Sequence, residues 1–121
     1  CLRLRGVSSA LLADEPGPEG GDDLGPTPVE LLLASLGACT TITARMYADR
    51  KGFEVDSIIA LAKLEQTEPG TPAKIVLDID VRGGLSSDER QRVIDIAARC
   101  PVHRMLEHPV EVETMALQSE C

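Results

Sequence analysis

The sequence predicts an α+β fold in a single domain, and three observations carry that prediction. A long apolar run from Pro28 is bounded by helix signals at both ends. Two later segments read as strands, one rich in Val and Ile and the next alternating apolar and charged residues, and a second helical stripe separates them from a last alternating segment. At 121 residues, with 43% hydrophobic and 26% charged side chains, the chain is sized for one domain with a core of its own. That core is aliphatic: Tyr47 and Phe53 are the only residues among Phe, Tyr and Trp. A small chain filled with aliphatic side chains is best completed by a partner.

Taken in order, residues 1–13 read as the end of a strand or a hairpin, with Leu2 and Leu4 alternating against Arg3 and Arg5 ahead of Leu11 and Leu12. Residues 14–27 hold Asp14, Glu15, Pro16, Gly17, Pro18, Gly20, Gly21, Gly25 and Pro26, a density of Gly, Pro and acid that makes a loop. Thr27 is then placed as an N-cap, with Pro28 at the first helical position and Glu30 three residues after the cap. The helix runs to about Lys51, stops at Gly52, and is about 36 Å long. Arg45, Arg50 and Lys51 complement its C-terminal dipole. Its first half, Leu31 to Cys39, has no polar face, which implies cover on every side. Residues 53–66 read as a strand, and Glu68-Pro69-Gly70-Thr71-Pro72 as a turn. Residues 73–82 form a second strand, Ile75, Leu77, Ile79 and Val81 alternating with Lys74, Asp78, Asp80 and Arg82. A second helix starts after Ser86, with Glu89 completing a capping box, and its stripe is Val93, Ile94, Ala97 and Cys100. Pro101 ends that helix or opens a short new one, and residues 109–117 read as a final strand.

The acidic balance, 20 Asp and Glu against 12 Lys and Arg for a net charge of −8, argues against nucleic acid as a partner and implies nothing further beyond solubility. Intrinsic disorder is excluded by the periodic Leu, Ile and Val. The longest charge-free apolar stretch, residues 31–44, is too short to span a bilayer and suits a buried helix, so no membrane association is expected. No signal-like apolar run opens the chain, and the four cysteines (Cys1, Cys39, Cys100, Cys121) form neither a CxxC pair nor a dense framework. The expected location is the cytoplasm, where an internal disulfide is redox chemistry more often than a staple. What precedes Cys1 is left open.

Candidate chemistry centres on the two internal cysteines. Cys39 lies within the long helix among small residues, Gly37, Ala38, Thr40 and Thr41, that let another backbone or a substrate approach. It is either an inert small hydrophobe or a thiolate needing a nearby cation or hydrogen bond. Cys100 is surrounded by Arg99, His103 and Arg104. It either caps a helix starting at Pro101, where the dipole favours a thiolate, or closes the preceding helix, where the dipole opposes one. The two cysteines could also meet and cycle between dithiol and disulfide. Cys39, Cys100, His103 and His108 match no structural zinc spacing, so no metal is expected. Ser35 lacks a nucleophile elbow, Gly20-Gly21 and Gly83-Gly84 are turns rather than phosphate loops, and Glu30 is explained by the capping box.

Three segments together resemble the OsmC/Ohr family of osmotically inducible and organic-hydroperoxide-resistance proteins. They are Ala13-Asp14-Glu15-Pro16 with Gly20-Gly21 and Gly25-Pro26-Thr27-Pro28; Glu30 through Gly37-Ala38-Cys39-Thr40 to Arg50-Lys51-Gly52; and Arg99-Cys100-Pro101-Val102-His103-Arg104. The resemblance implies an OsmC-like fold, with a long central apolar helix and a second helix packed with antiparallel strands, assembled as an intertwined homodimer with active sites at the subunit interface. It also implies thiol-dependent reduction of organic hydroperoxides in oxidative stress defence. By position, Cys39 matches the peroxidatic thiol and Cys100 the resolving one. The implied cycle takes Cys39 to a sulfenic acid, then to a Cys39–Cys100 disulfide, and an external thiol reductant restores the dithiol, dihydrolipoyl groups in one branch. No bound cofactor is implied.

Two departures accompany the resemblance. The hydroperoxide-resistance branch carries a glutamate directly after the helix-starting proline, where this chain has Val29 and places Glu30 one step, about 100° of helix, further on. That branch also uses an N-terminal arginine, for which Arg3 and Arg5 are the candidates, and the Cys100-Pro101-Val102-His103 run belongs to a broader OsmC-like branch. The alternative reading is a non-enzymatic redox sensor or small-ligand-binding module on the same fold.

Overall fold

A computed structural model describes residues 11–66, 68–71 and 73–116. They fall into two compact units, one from the described parts of Cys1–Leu31 and Glu111–Cys121, the other Leu32–Val110. The predicted N-terminal strand lies on residues 1–10, outside the described residues, and residues 11–13 carry no regular structure.

In the first unit the acidic Gly/Pro segment is a loop, as expected, with a short 3₁₀ turn over Gly17–Glu19 where Pro18 fixes the backbone. Asp14 organises it. One carboxylate oxygen accepts the Glu15 N–H at 2.8 Å, and the other accepts those of Asp22 at 3.0 Å and Leu24 at 3.2 Å. The Glu15, Leu24 and Asp22 amides hold the Asp14 carboxyl below the usual carboxylate range. A depressed carboxylate contributes order that is present above its unfolded value, 3.8, and lost as pH falls through the folded one. In an NMR titration the Glu15, Asp22 and Leu24 amides should move together with a midpoint below 3.8; a midpoint at or above it would remove Asp14 as the organiser. Thr27 then caps α1 (Pro28–Lys51), its hydroxyl accepting the Glu30 N–H at 3.1 Å.

Helix α1 ends where the sequence placed its stop. The Phe53 N–H donates to the Ala48 carbonyl and the Gly52 N–H to the Asp49 carbonyl, a Schellman motif that needs Gly52 at φ 73°. Strands β1 (Val55–Glu65) and β2 (Lys74–Gly83) pair antiparallel, within two residues of the predicted bounds. The register slips between Val55 and Ser57, where a side chain on Gly83 would collide with the Glu54 carbonyl. Ile58, Ala60, Ala62 and Leu64 stand opposite Val81, Ile79, Leu77 and Ile75 on the partly buried face. Helix α2 (Ser87–Ala97) has the expected capping box, with both Ser86–Glu89 bonds made. Arg90 ties it to β2 by donating to the Val81 carbonyl at 2.9 Å. A short helix, α3 (Pro101–Leu106), follows. The core joins Ala44 and Ala48 of α1 to Val81 of β2 and to Val93 and Ala97 of α2, with Tyr47 and Phe53 packed against it.

One expectation is corrected. Residues 109–116 form no strand: Val110 and Val112 alternate correctly but are 58% and 84% exposed, and a strand needs a pairing partner that neither finds among the described residues. This chain by itself supplies part of the cover expected around α1. The chain buries one stripe, Leu36, Thr40, Ala44 and Ala48, and leaves Ile42 and Met46 exposed, because the hairpin and α2 reach only one face. With 24 residues, α1 is also long and apolar enough to cross a membrane by length and composition, more than the charge-free stretch alone indicates.

Candidate active site

All of the following lies in the second unit. The alternatives for Cys100 resolve in favour of the cap. It stands in extended conformation at the N-cap of α3 with Pro101 at the first helical position, and its Sγ accepts the His103 N–H at 3.3 Å. Its own N–H donates to the Ala97 carbonyl at 3.3 Å, so the same residue closes the chain leaving α2. The Cys100 side chain is 0% exposed, whereas Cys39 on α1 is half-buried, and both are free thiols. Arg99 and Arg104, the flanking cations, are exposed. Arg3 and Arg5 lie outside the described residues.

Across the fold, Cys100 meets α1 at Thr40, the residue following Cys39. The Thr40 Oγ1 lies 3.7 Å from the Cys100 Sγ, and Thr40 is 0% exposed. Sequence reasoning treated Thr40 only as a small neighbour of Cys39. The signal that could have found it is a hydroxyl on the otherwise aliphatic stripe Leu36–Ala44–Ala48 at helical spacing.

Beside this contact is an apolar cleft of about 470 Å³, walled by Leu32 and Leu36 of α1, Leu64 of β1, Ile75 and Leu77 of β2, and the end of α3. Cys39 does not itself line the cleft, but it lies on the same helix as Leu32 and Leu36, at spacings of seven and three residues. His103 and Glu107 add a polar edge. The Nδ1 and Oε1 atoms stand 3.1 Å apart, close enough to attract when His103 is protonated but not aligned as a hydrogen bond. Glu107 was not singled out by sequence. A side chain at Gly37, two residues before Cys39, would meet nothing within 4 Å, so α1 offers open space there. Ser35 is engaged with its own helix, donating to the Leu32 carbonyl at 2.7 Å. Among the described residues no three His, Cys, Asp or Glu side chains gather around a possible ion, and His108 is exposed.

A sequence profile for OsmC-like protein matches residues 20–115. The chain belongs to the OsmC-like family. Solved structures agree in fold. An organic hydroperoxide resistance protein OsmC from Legionella pneumophila is 20% identical, with 77% of this chain covering 70% of that one at a TM-score of 0.60. An OsmC-like protein from Mycoplasma pneumoniae is 26% identical over 77% of this chain and 68% of that one, with a TM-score of 0.64. The organic hydroperoxide resistance protein OhrB of Bacillus subtilis is 23% identical over 69% and 64%, with a TM-score of 0.52. Among curated proteins none matches the sequence. The α+β fold that the resemblance implies, a long helix and a second helix with antiparallel strands, is thus the fold observed, with the short α3 in addition.

Proposed function

We propose that this OsmC-like chain is a thiol-dependent peroxidase that reduces organic hydroperoxides in cytoplasmic oxidative stress defence. The observation that carries the reading is the packing of fully buried Cys100 against the residue adjoining half-buried Cys39. In the first step the Cys39 thiol gives up its proton and the thiolate attacks the terminal peroxide oxygen; the O–O bond breaks, the leaving alkoxide takes up that proton and departs as an alcohol, and Cys39 becomes a sulfenic acid. In the second the Cys100 sulfur attacks that of Cys39; an S–S bond forms, the S–O bond breaks, and the departing hydroxide with the thiol proton becomes water. An external dithiol, such as a dihydrolipoyl group, restores the pair. The aliphatic cleft beside α3 suits the hydrocarbon part of an organic hydroperoxide better than hydrogen peroxide. Assembly as an intertwined homodimer would cover Ile42 and Met46, which this chain leaves exposed.

Complete burial of Cys100 also favours a second reading, a redox sensor that oxidises once and is restored slowly. Turnover separates the two. Reduced protein given excess cumene hydroperoxide and a dithiol should consume many equivalents per chain, with a lower KM than for hydrogen peroxide. Consumption that stops at one equivalent would replace the peroxidase with the sensor.

A further inference from the structure

Thr40 is a buried polar side chain that the two-cysteine cycle leaves without a role. At 0% exposure its hydroxyl must find a partner inside the protein. Threonine and serine within helices commonly bond back to their own helix, and two neighbours do so: Ser35 donates to the Leu32 carbonyl at 2.7 Å and Thr41 to the Ala38 carbonyl at 3.1 Å. Thr40 instead turns outward to the Cys100 Sγ at 3.7 Å, across 60 positions of sequence. In the thiol form of Cys100 either atom can donate. Once that sulfur gives up its proton, only the hydroxyl can. Because Cys100 is also 0% exposed, water does not reach the sulfur to take that part.

We propose that Thr40 is the positioning residue for the resolving step, its hydroxyl donating to the Cys100 sulfur as that sulfur becomes anionic and attacks Cys39. The inference rests on the two-cysteine reading above. The His103 N–H, at 3.3 Å, supplies a second donor from α3, so the sulfur is held between two elements. The donor from α1 belongs to the residue next to Cys39, so it also fixes where Cys100 sits along that helix. The step balances as written for the disulfide: the thiol proton leaves with hydroxide as water, and no reagent beyond the peroxide already consumed is required.

Three substitutions separate the hydroxyl from its packing. Thr40→Val keeps the shape and loses the hydroxyl, Thr40→Ser keeps the hydroxyl and loses the methyl, and Thr40→Ala loses both. Reduced protein is given one equivalent of cumene hydroperoxide, quenched with dimedone at intervals and weighed by mass spectrometry for the Cys39 adduct against the Cys39–Cys100 disulfide. The sulfenic acid should persist about tenfold longer in the Val and Ala variants, the effect of one hydrogen bond to a charged group, with Ser close to wild type. Lifetimes that group Val with wild type and Ser with Ala would make Thr40 a packing residue and overturn the proposal, as would wild-type lifetimes in all three. The Ser and Ala pair decides the matter by itself if the Val variant does not fold. Absence of any disulfide in the wild-type protein is a different failure, that of the two-cysteine cycle itself, and it removes the role of Thr40 with it.

Discussion

Replacing Cys39 with serine should reduce peroxide turnover to the uncatalysed background. The substitution exchanges one sulfur for one oxygen on a half-buried helical position, so the fold has little reason to change. What is lost is the only atom that can be oxidised to a sulfenic acid at that place. Cys100 cannot take over the first step, because its side chain is 0% exposed while Cys39 retains access to solvent. Under the proposed mechanism that difference in exposure accounts for the order of events, the accessible thiol meeting the peroxide and the enclosed one resolving it. Cys100→Ser should accordingly consume about one equivalent and leave a sulfenic acid that dimedone traps on Cys39. Unaltered turnover in Cys39→Ser, measured with cumene hydroperoxide and a dithiol, would end the mechanism.

Local chemistry made much of the fold legible. The limits of α1 follow from Thr27, Pro28 and Gly52, each of which satisfies or terminates backbone hydrogen bonds within a few residues of itself. The same holds for the Ser86–Glu89 box and for the alternation that places Ile75, Leu77, Ile79 and Val81 along one strand. Where the outcome depends on a distant partner, the residues alone were not enough. Residues 109–116 alternate as a strand would, but alternation does not supply a pairing edge. The composition of α1 calls for cover all round, yet the chain provides one buried stripe, and only the arrangement of the hairpin and α2 shows which. The site divides in the same way. Cys39 and Cys100 stand out by motif, but Pro101 leaves two places open for Cys100, and only the short helix α3 in the structure makes it a cap. The partnership of Thr40 with Cys100 and the pairing of His103 with Glu107 at a cleft are tertiary facts, set by how α3 lies against α1 and β2.

The aliphatic core is vulnerable to enlargement more than to truncation, and Ala48→Leu should be the most damaging conservative change in it. Ala44, Ala48 and Ala97 are each 0% exposed, and they pack with Val81 and Val93. Ala44 and Ala48 of α1 and Ala97 of α2 are wholly enclosed in one cluster with Val81 and Val93, so each of these positions holds a methyl group with no free space around it. Truncating any of the three removes one carbon, whereas leucine adds three to a place with no room. Overpacking of this kind costs about 1–3 kcal/mol, a large share of the ~5–15 kcal/mol that holds a typical domain together. With a urea dependence of about 1–3 kcal/mol per molar, the unfolding midpoint should fall by roughly 1 M. Arg92→Leu, on an exposed position of α2, adds apolar bulk without entering the core and should stay within about 0.5 kcal/mol of wild type. Equal midpoints for the two variants would mean that the core has room beside Ala48. Unequal ones would show that small side chains set the depth at which α1, and Cys39 with it, is seated.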